Sequence, residues 1–142
     1  MPGPTFIDTN VFVYAVGREH PLRDAAQAAL RKRLGRQVPL ATSAEVLQEL
    51  LHVYLPVGRT QTLDAALRLA TDLATVWPID GSDVVAAREL AVSEPGLGAR
   101  DLLHIAVCRR HGAGELLSFD RALMAAFARG GRDREGPPSP AS

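Results

Sequence analysis

The stretch TFIDTNVFVYA, residues 5–15, places a single carboxylate between two apolar runs. Residues 5–7 predict a short buried strand, and residues 9–16 predict a short helix. Asp8 therefore follows the carboxyl end of the first strand. An acidic residue at such a position is commonly a turn residue or a helix cap, so Asp8 alone does not indicate a functional site.

Strands and helices alternate along the rest of the chain. Further short strands are predicted at residues 38–41, 75–79 and 115–119. The predicted helices cover residues 22–34, from a cap at Thr42 or Ser43 to Tyr54, 60–74, from a cap at Ser82 to Ser93, 99–111 and 121–128. Short strands separated by helices indicate an α/β/α sandwich around a mainly parallel sheet.

The composition is typical of one globular domain. The chain has 142 residues, of which 46% are hydrophobic, and a chain of this length can bury a core without disulfide bonds. Sixteen basic residues balance sixteen acidic ones, so the generally basic surface of a strong non-specific nucleic-acid binder is absent. Cys108 is the only cysteine, which excludes an internal disulfide and a zinc site built on paired cysteines.

The two ends of the chain lead to further expectations. Residues 130–142 are rich in Gly, Pro, Ser, Arg and Asp, which predicts a folded domain over residues 1–129 and a disordered tail after it. No further strand is predicted after Leu123. The sequence shows neither a signal peptide nor an apolar run that could span a bilayer, and we therefore expect a soluble cytoplasmic protein.

Two strands of the predicted sheet are followed by an acid. Asp120, in the stretch ELLSFDRAL, follows the last strand as Asp8 follows the first. The carboxyl ends of parallel strands lie at one edge of the sheet, where ligands of open α/β sheets bind. Helix capping explains each acid separately, whereas a shared site explains both together.

Two predicted helices contribute further acids. In SAEVLQELLHVY, Glu45 lies nearly opposite the apolar stripe and Glu49 lies near its edge, so Glu49 is the better site candidate. In GARDLLHIAVCRRHG, Asp101 shares a face with Ile105 and Cys108, although an acid in the first helical turn is also favoured by the helix dipole. Four carboxylates in one cleft would repel each other unless a cation were bound. Oxygen ligands of this kind suit Mg²⁺ or Mn²⁺.

Four motifs together resemble the PIN domain, and within it the VapC-type toxin ribonucleases. The matching stretches are FIDTNVFVYA, TSAEVLQELLHVY, ARDLLHIAVCRRHG and LLSFDRAL, which extend from Phe6 to Leu123. The resemblance implies an acidic quartet with two supporting residues. The implied quartet is Asp8, Glu49, Asp101 and Asp120, and the implied supporting residues are Asn10 and Ser118, a position where the family often has Thr.

The resemblance also implies an activity and partners. The activity would be Mg²⁺-dependent endonucleolytic cleavage of RNA by a metal-activated water, with Mn²⁺ as a substitute. The partners would be a second copy of the chain and a VapB-type antitoxin that blocks the cleft. The alternative is a catalytically inactive RNA- or protein-binding module on the same fold, against which the four intact acids argue.

The remaining polar residues are less informative. A lone helical His is more often structural, so His104 is predicted to be a structural residue, and Cys108 and Trp77 are predicted to pack in the core. Four arginines flank the acids and could hold RNA phosphates, although solvated helix faces explain them equally well. These arginines are Arg100, Arg109, Arg110 and Arg121.

Other α/β enzymes fit the sequence less well. A haloacid-dehalogenase-like phosphatase requires an Asp two residues after Asp8, where Asn10 stands. That family and the receiver domains also require a suitably placed Lys, and Lys32 lies in a basic helix end. A P-loop is absent.

Overall fold

The structure, a computed structural model, describes residues 3–134 of the chain. Its strands are β1 (Thr5–Ile7), β2 (Leu40–Ser43), β3 (Thr75–Trp77) and β4 (Glu115–Leu117). The helices of the described residues are α1 (Thr9–Val16), α2 (Pro21–Gly35), α3 (Ala44–Tyr54), α4 (Thr60–Leu73), α5 (Gly81–Ser93), α6 (Ala99–His111) and α7 (Arg121–Arg134). A short 3₁₀ turn, Leu55–Val57, follows α3.

The four strands form one parallel sheet in the order β3-β2-β1-β4. Phe6 of β1 pairs with Ala41 on one side and with Leu116 on the other. All three residues of β1 are buried, as expected for a central strand whose two faces are covered by helices. The prediction of a parallel α/β sheet flanked by helices is confirmed.

The core is built around the central strand. Phe6 and Ile7 have no exposed surface, and Phe12, Leu50 and Ile105 cover them from three helices with equally complete burial. Apolar burial of this kind is the main favourable contribution to folding.

Trp77 and Cys108 pack in this core, as predicted. The ring of Trp77 stacks on Phe6 with 6.1 Å between the centroids. Cys108 is fully buried, and burial raises the pKa of its thiol. The thiol therefore stays protonated and behaves as a small apolar group.

The strand boundaries differ from the predicted ones. β2 covers Leu40–Ser43 rather than 38–41, because Thr42 and Ser43 are buried and pair with β3. Ser43 is at the same time the cap of α3, since its hydroxyl accepts a hydrogen bond from the Val46 amide at 3.2 Å. β3 and β4 end at residues 77 and 117 rather than at 79 and 119.

Helix α5 begins with a different cap from the one predicted. The cap is Asp80, whose Oδ1 accepts hydrogen bonds from the amides of Ser82 at 2.9 Å and Asp83 at 3.3 Å. The Asp83 carboxylate in turn accepts from the Asp80 amide at 2.9 Å, which completes a capping box. Ser82 therefore lies inside the helix.

The last helix continues beyond the point where the disordered tail was predicted to begin. α7 runs through residues 130–134, and Gly130 is buried with its backbone against the guanidinium of Arg109. The rest of the predicted tail, residues 135–142, lies outside the described residues. No strand follows Leu123 before residue 134. Within residues 3–134, no helix is long and apolar enough to cross a membrane.

Candidate active site

The four predicted acids line one cavity at the carboxyl edge of the sheet. This acidic cavity has a volume of about 600 Å³. Asp8 and Asp120 reach it because they follow β1 and β4, which are neighbours in the sheet. Glu49 enters it from α3, and Asp101 enters it from the first turn of α6.

A hydrogen-bonded network fixes Asp8. The hydroxyl of Ser118 donates to Asp8 Oδ2 at 2.7 Å. The same Ser118 oxygen accepts from Asn10 Nδ2 at 3.1 Å and from the Asp120 amide at 2.9 Å. Asp8 Oδ1 accepts from the Thr9 amide at 2.8 Å and thereby caps α1. Ser118 and Asn10 thus connect the ends of β1 and β4.

Glu49 is held at both of its oxygens. Thr9 Oγ1 donates to Oε2 at 2.6 Å, and Oε1 lies 2.9 Å from His104 Nε2. Glu49 is 8% exposed and does line the cavity, whereas Glu45 is half-buried and lies outside that lining. The side of α3 predicted from its periodicity is therefore the side that faces the acids.

The contact of His104 with two of the acids was not predicted from the sequence. His104 is 1% exposed, and its Nε2 also lies 3.6 Å from Asp8 Oδ1. The available signal was the spacing of three residues from Asp101, which puts both side chains on one side of α6. That spacing is common in helices, and only the tertiary contact with Glu49 distinguishes His104 from an ordinary buried histidine.

The pKa values of these groups reflect their crowding. Burial and the charge of Asp120 raise the pKa of Asp101. Burial alone would lower the pKa of His104, but its hydrogen bond to Glu49 and the charge of Asp8 raise it overall. Burial would raise the pKa of Glu49, but the hydrogen bonds from His104 and Thr9 lower it overall. The cavity thus concentrates negative charge that a cation would neutralise.

The donor atoms fit a divalent metal ion. One ligand atom each from Asp8, Glu49 and His104 lie within 4.8 Å of one another, and all three residues are buried. Asp101 and Asp120 supply further carboxylate oxygens to the same cavity. The predicted ligand set contained carboxylates alone, whereas the tightest group among the described residues includes an imidazole. Carboxylates with one imidazole suit a divalent first-row metal as well as magnesium.

The four flanking arginines separate into different roles. Arg100 lines the acidic cavity and is exposed. Arg110 forms two hydrogen bonds to the Asp83 carboxylate, at 2.7 and 2.9 Å, and so joins α6 to α5. Arg109 and Arg121 do not line the acidic cavity.

Comparison with known proteins gives the same family as the sequence motifs. The family model of the PIN domain matches residues 5–129. The chain is 54% identical over 122 residues to the ribonuclease VapC23 of Mycobacterium tuberculosis, covering 86% of this chain and 97% of that protein. The chain belongs to the PIN-domain family, among its VapC ribonucleases.

Further relatives and solved structures agree with this assignment. The ribonuclease VapC13 of Mycobacterium tuberculosis is 39% identical over 118 residues, which cover 82% of this chain and 90% of that protein. The crystal structure of VapC20 from the same organism, a toxin that cleaves the sarcin–ricin loop, superposes with a TM-score of 0.69 at 23% identity, over 86% of this chain and 94% of that chain. At that identity the structural match shows the fold alone.

Proposed function

We propose that this PIN domain is a Mg²⁺-dependent endoribonuclease, the toxin of a toxin–antitoxin pair, and that the acidic cavity is its active site. The observation that carries the proposal is the convergence of four carboxylates in one cavity at the carboxyl edge of the sheet, with His104 next to two of them, Asp8 and Glu49. Such an arrangement suits hydrolysis of a phosphodiester, because the substrate brings further negative charge that a divalent ion can offset. The family assignment and the ribonuclease relatives support the same activity.

Different residues would bind the metal ion, support its ligands and contact the RNA. The metal ion would be held by Asp8, Glu49 and His104, together with Asp101 and Asp120. Mg²⁺, when bound, acts as a Lewis acid that lowers the pKa of a coordinated water and offsets negative charge on the phosphate, and Mn²⁺ can substitute for it.

Three other residues would support this site without binding the ion. Ser118 and Thr9 keep the carboxylates of Asp8 and Glu49 in place through hydrogen bonds of 2.7 and 2.6 Å. Arg100, which lines the cavity and is exposed, would pair with a phosphate of the bound strand.

The partners follow from the proposed role. The structure of VapBC2 from Rickettsia felis bound to a DNA fragment from its promoter superposes with a TM-score of 0.60 at 18% identity, over 82% of this chain and 98% of that chain. We propose that a VapB-type antitoxin likewise binds this chain and covers the acidic cavity, and that the toxin forms a homodimer. Its RNA substrate would place its action in the cytoplasm.

The proposal is tested by sequencing RNA ends after controlled expression of the wild-type chain and of Asp8→Asn. We expect new RNA ends at a small set of sites with the wild-type chain and none with Asp8→Asn at equal protein level. Purified wild-type protein should produce the same ends with Mg²⁺ or Mn²⁺ and lose the activity in chelator. Identical RNA ends for both chains would contradict the proposal and would favour an inactive binding module.

A further inference from the structure

A second cavity of opposite charge adjoins the acidic one. It has a volume of about 260 Å³, and Val13, Tyr14 and Val53 line both cavities. We call it the flanking cavity and define it by its polar and aromatic lining residues. These are Tyr14, Arg18, His20, Tyr54 and Arg59, with Glu19 at the same wall. A strand that lies in the acidic cavity can continue into this space without leaving the protein surface.

The charge of the flanking cavity favours an anion. Arg18 and Arg59 line it together with one acid, Glu19. Among the residues that the structure describes, neither arginine forms an ion pair within 4.0 Å. Arg18 and Glu19 are exposed and Arg59 is half-buried. The acidic cavity, in contrast, combines four carboxylates with Arg100.

The flanking cavity also offers an aromatic surface that is held in place. The rings of Tyr14 and His20 stack with 5.0 Å between centroids, and Tyr14 meets Phe119 edge to face at 5.4 Å. His20 caps α2, because its Nδ1 accepts a hydrogen bond from the Leu22 amide at 3.0 Å. The cap fixes an exposed imidazole ring, and nucleic-acid bases stack on such rings in single-stranded complexes.

Tyr54, which lines the flanking cavity, has a buried hydroxyl without a partner. Tyr54 is 4% exposed, and its Oη makes no hydrogen bond with any described residue. Burial raises the pKa of Tyr54, so the hydroxyl is a neutral donor. A buried donor without an acceptor is unfavourable, and a ligand that brings an acceptor would remove this cost.

We propose that the flanking cavity binds the nucleotide of an RNA strand that lies next to the scissile phosphate. Its base stacks on His20 above Tyr14, its phosphate pairs with Arg18 and Arg59, and the Tyr54 hydroxyl donates to one of its acceptors. The volume of the flanking cavity lies below the range of about 300–1,000 Å³ that suits drug-sized ligands. The cavity therefore fits one nucleotide rather than a folded RNA element. This inference rests on the proposed ribonuclease function and adds a positioning subsite to it.

Three substitutions test the subsite while the helix caps around it are kept. His20→Asn removes the ring but keeps a favoured N-cap residue. Tyr54→Phe removes only the unpartnered hydroxyl, so the fold should be as stable as before or more stable. Arg59→Ala removes a cation whose side chain caps nothing. The matched control is Arg36→Ala, which removes an exposed arginine in a cavity at the opposite edge of the sheet.

The substrates are short RNAs that contain a mapped cleavage site. One spans both sides of the scissile phosphate, one is shortened on its 5′ side and one on its 3′ side. For the spanning RNA we expect all three variants to raise KM with kcat unchanged, and we expect His20→Asn to raise it at least about fivefold, the low end of the effect of losing a base stack. The shortened RNA that lacks the nucleotide of the flanking cavity should give equal KM values for the variants and the wild-type protein.

The salt dependence of RNA affinity distinguishes a lost phosphate contact from a change in the shape of the flanking cavity. Arg59→Ala should reduce the slope of log affinity against log salt concentration by about 0.7, as expected for one lost contact to a single strand. His20→Asn, Tyr54→Phe and Arg36→Ala should leave this slope unchanged. Thermal melts of all four variants check that the fold is intact.

The outcomes separate this inference from the proposed function. If RNA is cleaved and the three variants keep the wild-type KM, the subsite is wrong and the nuclease assignment stands. If the variants weaken only the binding of a purified antitoxin, the cavity is a protein-binding site and our inference is wrong.

If no cleavage is observed, binding of a fluorescein-labelled single-stranded RNA of mixed sequence still tests the subsite. The titration is made in the Asp8→Asn background. Weaker binding by the three variants, but not by Arg36→Ala, would support the subsite, and equal binding would overturn it.

Discussion

Asp8 makes two local hydrogen bonds and carries a negative charge. An asparagine at this position separates the helix cap from the charge. Its Oδ1 caps α1 through the Thr9 amide, and its Oδ2 accepts from the Ser118 hydroxyl. Asparagine is as good an N-cap as aspartate, so an amide at this position preserves the helix start. The amide removes the negative charge, and a metal site requires that charge.

We therefore expect Asp8→Asn to remain folded while RNA cleavage is lost. Without metal its free energy of unfolding should equal or exceed that of the wild type, because one of several repelling charges is gone. Its Mg²⁺ affinity should fall by more than the roughly 10–100-fold that loss of an outer-shell partner causes. Thermal melts in chelator and calorimetric Mg²⁺ titrations measure the two effects. Wild-type cleavage by this variant would rule out the metal-ligand role.

Ser118 tests whether the hydrogen-bonded support of Asp8 matters. Ser118→Ala removes the donor to Asp8 and the acceptor for Asn10 and the Asp120 amide. We expect a loss of about 1–3 kcal/mol in the free energy of unfolding and a 10–100-fold weaker Mg²⁺ affinity, on the order typical of such partners. Ser118→Thr keeps the hydroxyl and is the control. Equal Mg²⁺ affinity for Ser118→Ala and the wild type would show that Asp8 needs no such support.

At this scale the sequence predicted the acids and, through the family resemblance, Asn10 and Ser118, but it did not predict that His104 contacts the acids. Asp8 and Asp120 were predictable because the ends of parallel strands meet, and Glu49 was predictable from the side of its helix. The contact between His104 and Glu49 joins residues 55 positions apart. No local pattern encodes such a contact, and so His104 was predicted to be structural.

At the scale of elements, an ion pair joins α5 to α6. Arg110 binds the buried Asp83 carboxylate through two hydrogen bonds and also donates to the carbonyl of Pro78 at 2.9 Å. Asp83 is also part of the capping box of α5. Because α6 carries both Asp101 and His104, this pair helps to set the position of the helix that supplies them.

The Asp83–Arg110 pair predicts a pH dependence of stability. The hydrogen bond from Arg110 is the main reason that the pKa of Asp83 is lowered in the folded protein. The stabilisation is therefore fully present above the unfolded pKa of about 3.9 and is lost as the pH falls through the lower folded value. Asp83→Asn should be less stable than the wild type at pH 7, and this difference should shrink below about pH 4.

Denaturant unfolding at a series of pH values measures this difference. The control is Asp64→Asn, which removes an exposed carboxylate on α4. A difference between Asp83→Asn and the wild type that stays constant down to pH 2 would show that the charge of Asp83 does not contribute.

Element boundaries were less predictable than the elements themselves. Ser43 is both the last residue of β2 and the cap of α3, and a sequence pattern cannot show that one residue takes both roles. Near α5 both Asp80 and Ser82 are good caps by type. Only the reciprocal bonds with Asp83 select Asp80.

At the scale of the whole molecule, the end of α7 belongs to the folded domain. Arg129 donates two hydrogen bonds to Glu94, at 2.8 and 2.6 Å, and so joins α7 to the end of α5. Gly130 is buried next to Arg109. The sequence pattern missed this extension because a pair of glycines disfavours a helix by propensity alone, and tertiary contacts outweigh that preference.

Two truncations test where the domain ends. Ending the chain after Arg134 removes a segment with three prolines and no large apolar residue, so the melting temperature and cleavage rate should stay unchanged. Ending it after Ala128 also removes Arg129 and the buried Gly130, and the melting temperature should fall by several degrees, as expected for a loss of about 1 kcal/mol in a small domain. Equal melting temperatures for the two truncated chains would contradict the account of α7.

The central claim is that the acidic cavity, and not acidity in general, performs Mg²⁺-dependent RNA cleavage. The most direct measurement is the cleavage rate of one labelled RNA as a function of Mg²⁺ concentration for the wild type, Glu49→Gln and Glu45→Gln. Both variants lose one carboxylate from the same helix, but only Glu49 lines the cavity. We expect Glu45→Gln to follow the wild-type curve and Glu49→Gln to lose cleavage at all Mg²⁺ concentrations or to require far more Mg²⁺. Equal curves for Glu49→Gln and Glu45→Gln would contradict the account.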